Sequence, residues 1–250
     1  MSIDFKKFLN CYEFETTLPG SKEVVKFKPI TTLQMKKLLT YENETRTEVI
    51  EKALDELITS SVTSDNFDIK KLFIQDRFYL LLEIRRKTNG DIYKFTYTCD
   101  ECGSQQLESV DLSKLKLIGK PENLINTIKV NDDLSINLSY ITREKQEKAL
   151  DYVAGLPKDI TGSARDMEAS IHMYALCIDS ITTPDGIDTN LPINDKRFII
   201  ENIPKGIFDE IRNWYTDNNF GIEFSHKVTC TMSNCLNEKY IDLPLDNFFF

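Results

Sequence analysis

Six cysteines are spread over 250 residues, and four of them fall into two close pairs. Cys99 and Cys102 stand in YTCDECGSQQ at C-x2-C spacing, with Gly103 next. Cys230 and Cys235 stand in VTCTMSNCLN at C-x4-C spacing. Two thiolates held this close on a turn can share one metal ion, and two to four intervening residues is the spacing used by structural zinc. A glycine after the second cysteine lets the turn take positive φ, so that amides approach sulfur. A closed zinc site needs four ligands, so either pair alone is half a site. Cys99, Cys102, Cys230 and Cys235 are therefore candidate ligands of one structural zinc. The alternatives are buried apolar thiols, a disulfide, or a degenerate site without metal. His226 lies close before Cys230 and could stand in for a ligand, although a core-edge or solvated histidine is the simpler expectation. Cys11 and Cys177 have no partner pattern, and Cys177 reads as a core thiol.

Little else in the chain points to chemistry. There are two histidines and nine glycines, and no G-x-G-x-x-G, Walker A, H-E-x-x-H or G-x-S-x-G pattern occurs. The expectation is a protein that is not an enzyme, with no catalytic residues to name; a site assembled from distant positions would leave no spacing to read. A net charge of −9 argues against nucleic acid and anionic membrane as partners, since phosphate contacts need cations. Asp100, Glu101 and Glu108 crowd the first cysteine pair. A nucleic-acid-binding zinc-ribbon protein is the alternative reading, and this acidity weighs against it. The start of the chain has no signal-peptide pattern, and the longest apolar run is FYLLL at 78–82. A reducing, intracellular setting is expected, where thiols and metal ligands outnumber disulfides.

The cysteine pairs must be carried by neighbouring elements. DIYKFTYTC reads as a strand entering the first pair and QQLESVDL as a strand leaving it; IEFSHKVTC and EKYIDL do the same around the second. Upstream, residues 1–22 are a lead-in ending in the turn-like LPGS, and 23–28 alternate like a strand. Thr31 and Gln34 form a capping-box pattern that starts a helix running to about Tyr41. Val49, Ile50, Ala53, Leu54, Leu57 and Ile58 make the wide apolar face of a second helix. IKKLFIQDRFYLLLEIRR at 69–86 reads as a third. Beyond a connector at 113–133, the spacing predicts a strand at 134–140 and helices at about 142–154, 165–179, 194–202 and 204–218. The segments GLPKDITGS and TTPDGIDTN read as loops, and Pro204 suits a first helical turn.

This order repeats. FKPITTLQMKKLLTY matches LSYITREKQEKALDY, with Ile30 opposite Ile141 and Tyr41 opposite Tyr152. ITSSVTSDNFDIKKLFIQDRF matches IDSITTPDGIDTNLPINDKRF, with Ser61 opposite Ser180 and Asp76 opposite Asp195. YTCDECGSQQLESVDL matches VTCTMSNCLNEKYIDL. Short elements can look alike by chance, but three blocks in one order, the last with a rare cysteine pair, favour internal duplication. The expected fold is α+β: two pseudo-repeated strand–helices–β-ribbon units, 23–112 and 134–250, in one two-lobed body joined by a shared, zinc-ribbon-like site of four cysteines. The long gap between the cysteine pairs is then the length of one repeat.

The order P-I-T-T-x5-L-L around 29–39, then L-I-T-S-S-V, then D-R-F-Y-L-L-L-E-I-R at 76–85 and F-T-Y-T-C-D-E-C-G, with D-L-P-L-D-N-F-F-F at the end, resembles the T4-type bacteriophage baseplate protein family. The resemblance covers about 19–250. It implies a non-enzymatic role as a baseplate hub protein or hub assembly factor of a contractile tail. Other baseplate and tail proteins would be the partners, and the setting would be the bacterial host cytoplasm during assembly and the virion tail. The resemblance transfers no catalytic residues. Phe248, Phe249 and Phe250 are expected to close the core beside the cysteine site, or else to anchor a partner. Trp214 and Tyr215 are expected in the core, and REKQEK at 143–148 as a solvated helix face.

Overall fold

The computed structural model describes residues 12–41, 44–244 and 248. Within the expected lead-in lies a strand, β1 (Phe14–Thr17), paired antiparallel with β2 (Val24–Phe27). The LPGS turn between them is held from elsewhere: the Gly20 and Ser21 amides donate to the Asp76 carboxylate at 2.6 and 2.8 Å. Helix α1 (Thr32–Leu39) begins at the expected capping box, in which Gln34 Oε1 accepts from the Thr31 amide at 2.8 Å. Helix α2 (Thr47–Ser61) buries Ala53, Leu57 and Ile58, the face its periodicity marked. After α2 the chain turns extended, and Val62 bridges antiparallel to Phe27, adding a third segment to the first hairpin.

The single helix expected over 69–86 is broken. A 3-10 turn covers Ile69–Lys71, Leu72 and Phe73 are extended, and α3 (Ile74–Asn89) starts afterwards. The reason is tertiary. Leu72 O accepts from Arg143 N at 2.9 Å and Ile74 N donates to Ile141 O at 3.1 Å, so this backbone is committed to pairing with 141–143. Gly90, at φ +84°, ends α3. A hairpin follows, β3 (Ile92–Thr98) with β4 (Gln105–Asp111), in continuous register from Ile92↔Asp111 to Thr98↔Gln105.

The connector contains β5 (Leu117–Ile118) and β6 (Thr127–Lys129), followed by β7 (Ser135–Leu138). Helix α4 (Arg143–Ala154) is capped by Thr142, and α5 (Gly162–Cys177) ends earlier than expected, because Ile178 already belongs to β8 (Ile178–Thr183). Along this helix Ile171 and Tyr174 pack on the core, while Met167 is half exposed. The expected loop TTPDGIDTN holds a hairpin: β8 turns at Pro184–Asp185 into β9 (Gly186–Asp188). β-branched residues dominate β8, and the open edge of β7 gives them a partner. The sheet order is β6-β7-β8-β9. Helices α6 (Ile193–Asn202) and α7 (Lys205–Asp217) follow, with Pro204 as the N-cap of α7. Strand β10 (Gly221–Ile222) pairs with β5, and β11 (Ser225–Thr229) forms a last hairpin with β12 (Glu238–Asp242).

The fold is α+β, with helices packed on small antiparallel sheets. Two apolar cores do not follow chain order. One gathers Val25, Phe27, Ile58, Leu80, Ile84 and Phe95, and also Val228, Leu243 and Phe248 from the far end of the chain. The other gathers Ile136, Leu138, Tyr140, Ala175, Ile211, Trp214 and Phe220. Phe73 reaches into this second core, with its ring edge-on to Tyr140 and Phe220. The last hairpin therefore packs on the first core, which brings it beside β3 and β4.

Candidate metal centre

Each hairpin ends in a knuckle closed by the amide of its first cysteine, which donates to the carbonyl two residues past the second cysteine. In the first, the Cys99 amide donates to Ser104 O at 3.0 Å and the Gly103 amide to Cys99 O at 2.9 Å. In the second, the Cys230 amide donates to Asn237 O at 2.8 Å, and the Cys235 amide to Met232 O at 2.9 Å. The residue after each second cysteine is left-handed: Gly103 at φ +68° and Leu236 at φ +50°. Glycine adopts this conformation freely and leucine does not.

The four candidate cysteines come together. Their sulfurs lie within 4.8 Å of one another, with Cys99 Sγ 3.7 Å from Cys235 Sγ and Cys102 Sγ 3.6 Å from Cys230 Sγ. A tetrahedral zinc with Zn–S bonds of about 2.3 Å sets sulfurs about 3.8 Å apart, so the donor set and its spacing fit that ion. Cys99 and Cys230 are buried, Cys235 is half-buried and Cys102 faces solvent.

Polar groups tie the two knuckles together. Ser104 Oγ is 2.9 Å from Cys102 Sγ and 3.8 Å from Cys230 Sγ. Gln106 Nε2 donates to Ser104 Oγ at 2.8 Å, and Gln106 Oε1 accepts from Thr231 Oγ1 at 2.5 Å and from the Thr231 amide at 3.2 Å. Across the outer face, Lys239 pairs with Asp100 at 2.5 Å. The Ser104 hydroxyl and amide bring the Cys102 thiol down to about 6. The Asn237 amide draws the Cys235 thiol down, but burial and the neighbouring Cys99, Cys102 and Cys230 sulfurs outweigh it and push that thiol up to about 12. Four sulfurs this close cannot all carry charge without a cation, which is the electrostatic condition a divalent metal relieves.

Other sequence candidates lie elsewhere. His226 stands edge-on to the Phe95 ring at 6.3 Å and is not in the cysteine cluster. Cys177 is fully buried, and burial pushes its thiol up. Cys11, Phe249 and Phe250 lie outside the described residues. Phe248 is buried against Tyr93, edge-on at 5.4 Å. Tyr93 sits near the start of β3, so this phenylalanine closes the base of the hairpin and not its cysteine end. Trp214 is buried as expected, and its indole donates to Ile125 O at 2.7 Å. The solvated face expected for REKQEK is corrected at its first residue. Arg143 is 1% exposed and its Nε donates to Asp55 at 2.6 Å, because α4 lies against α2 and α3 there. Sequence reading missed Ser104, Gln106 and Thr231. A signal was present: along β4 the polar Gln106 points inward while Leu107 is exposed, the reverse of ordinary strand patterning.

No helix among the described residues is long and apolar enough to cross a membrane. Comparison with curated proteins and with solved structures gives no match. A family model described as T4 bacteriophage base plate protein matches residues 11–250, nearly the whole chain. With that match lying over both hairpins and both cores, the chain belongs to the T4 bacteriophage base plate protein family and is a phage baseplate component.

Proposed function

We propose that this chain is a baseplate hub component or hub assembly factor that works by binding other tail proteins, without enzymatic activity, and that a structural zinc clamps its two hairpins. The observation that carries the reading is the convergence of Cys99 and Cys102 with Cys230 and Cys235 from two hairpins far apart in the chain. Four thiolates fill a tetrahedral ion and leave no position for water or substrate, so such a centre stabilises and does not catalyse. Assembly in the host cytoplasm and residence in the tail baseplate are part of the same proposal, which the family match supports.

Internal duplication is part of this proposal. It is supported by repeated pairing: β1–β2 with Phe27 bridged to Val62 resembles β6–β7 with Leu138 paired to Ile178. Thr31 and Thr142 cap equivalent helices, and Asp76 and Asp195 each occupy the third position of a helix after an extended N-cap. Ser61 and Ser180 are offset, the first ending a helix and the second inside a strand, next to an irregularity at Asn137/Leu138.

The test is co-expression with the other tail proteins, purification of the complex and metal analysis. Expected are a complex with another baseplate protein and about one zinc per chain, the stoichiometry of a single four-cysteine site. Cys99→Ser or Cys230→Ser is expected to lose zinc and solubility together. Recovery as a lone chain with all partners present would count against the binding role, and folded, metal-free protein would sink the clamp.

A further inference from the structure

We infer that Ser104 and Gln106 are positioning residues of the thiolate centre, relaying hydrogen bonds from the second knuckle to a ligand of the first; this rests on the zinc reading above. The direction of each bond is set by its partners. Gln106 Oε1 receives the Thr231 amide, which can only donate, so the Gln106 amide group is oriented with Nε2 toward Ser104. Ser104 Oγ accepts from Nε2, which leaves its own proton for sulfur, and Cys102 Sγ is the nearer sulfur at 2.9 Å against 3.8 Å for Cys230 Sγ. A metal-bound thiolate only accepts, so the chain runs one way: Thr231 to Gln106 to Ser104 to Cys102.

The geometry gives this relay a definite role. Thr231 follows Cys230 directly, so the relay starts beside one ligand and ends on another across the interface. Gln106 is 7% exposed, and the side chain has no solvent to replace lost partners. Cys102 is the most exposed of the four cysteines, the ligand with least packing to hold its rotamer. Hydrogen bonds outside the ligand shell that orient ligands commonly change metal affinity about 10- to 100-fold. Here they also make closure of the site depend on both hairpins lying in this register.

The experiment uses the full chain loaded with zinc or with cobalt(II) as a spectroscopic probe. Zinc affinity is measured by competition with a chromophoric chelator, and ligand geometry by the cobalt thiolate bands. Ser104→Ala and Gln106→Leu are each expected to weaken zinc roughly tenfold or more and to alter the cobalt spectrum. Ser104→Thr is expected to restore both. The double variant should be no weaker than the worse single, because the residues act as one chain. Ser104 is half-buried, so Ser104→Ala keeps the fold, and a thermal melt of each metal-loaded variant checks this. Wild-type zinc binding with unchanged variants, or with fully additive losses, overturns the relay while leaving the zinc reading intact. A wild-type chain that binds neither zinc nor cobalt overturns both.

Discussion

At the scale of single residues, the two knuckles differ most at the position after the second cysteine. Gly103 takes its left-handed conformation at no steric cost, with nothing within 4 Å of where a Cβ would lie. Leu236 takes the same conformation with a Cβ and an exposed side chain, at a cost of about 1–2 kcal/mol. Leu236→Gly should remove that strain, partly offset by the entropy glycine adds to the unfolded chain, for a net gain of up to about 1 kcal/mol. Chemical denaturation of the loaded protein measures it, and a loss of stability would contradict the account. His172 offers a second test. Its ring lies stacked on Tyr152 at 4.0 Å, with Arg197 from α6 over the ring of that tyrosine and Glu168 one turn away on α5. Burial, then the Arg197 charge, lowers its pKa below 6.5. The unfolded chain therefore binds the proton more readily, and stability is lost as pH falls from about 6.5 through the lower folded value. His172→Phe should flatten that acid limb in thermal melts, and an unchanged pH profile would remove His172 as its cause.

At the scale of elements, the two cysteine-bearing hairpins were legible, while the β1–β2 and β8–β9 hairpins and several helix ends were not. The β3–β4 and β11–β12 ribbons follow from alternation around cysteine turns, and α1 from its capping box. What the sequence did not show was where backbone is taken by a distant partner. Leu72 and Phe73 sit inside a helical pattern, yet pair with Thr142 and its neighbours. Residues 178–179 end the expected helix and 182–183 open the expected loop, yet 178–183 complete the sheet beside β7. Glycine at position 20 belongs to this scale as well. A Cβ there would collide with the Phe220 ring and come within 2.9 Å of Phe73, where the β1–β2 turn packs on the aromatic cluster. Gly20→Ala should cost about 1–3 kcal/mol by overpacking, read as a lowered denaturation midpoint. A neutral result would mean that the turn shifts freely.

For the whole molecule, the cysteine centre is not the sole tie. Asp55 on α2 accepts from Arg77 on α3 at 2.7 Å and from Arg143 on α4 at 2.6 Å. Both guanidinium groups are essentially inaccessible to water, and Arg77 also meets Glu51 at 2.7 Å. Removing the shared carboxylate takes the ion-pair partner from buried Arg143 and leaves buried Arg77 with Glu51. Asp55→Ala is therefore expected to cost about 3–5 kcal/mol, and to do so with zinc still bound. Equilibrium unfolding of the zinc-loaded variant is the measurement, and a change under about 1 kcal/mol would place the tie elsewhere.

The sequence by itself picked out the four candidate cysteines, the ribbons that carry them, the α+β class and the resemblance to a phage baseplate family, because each rests on short-range spacing and composition. The tertiary structure decided that both cysteine pairs meet, that the last hairpin joins the first core, and that Arg143 is buried. It also decided that Ser104, Gln106 and Thr231 link the knuckles. Those outcomes depend on contacts between residues far apart in the chain, such as Gln106 with Thr231, and local periodicity carries no information about which distant surfaces meet.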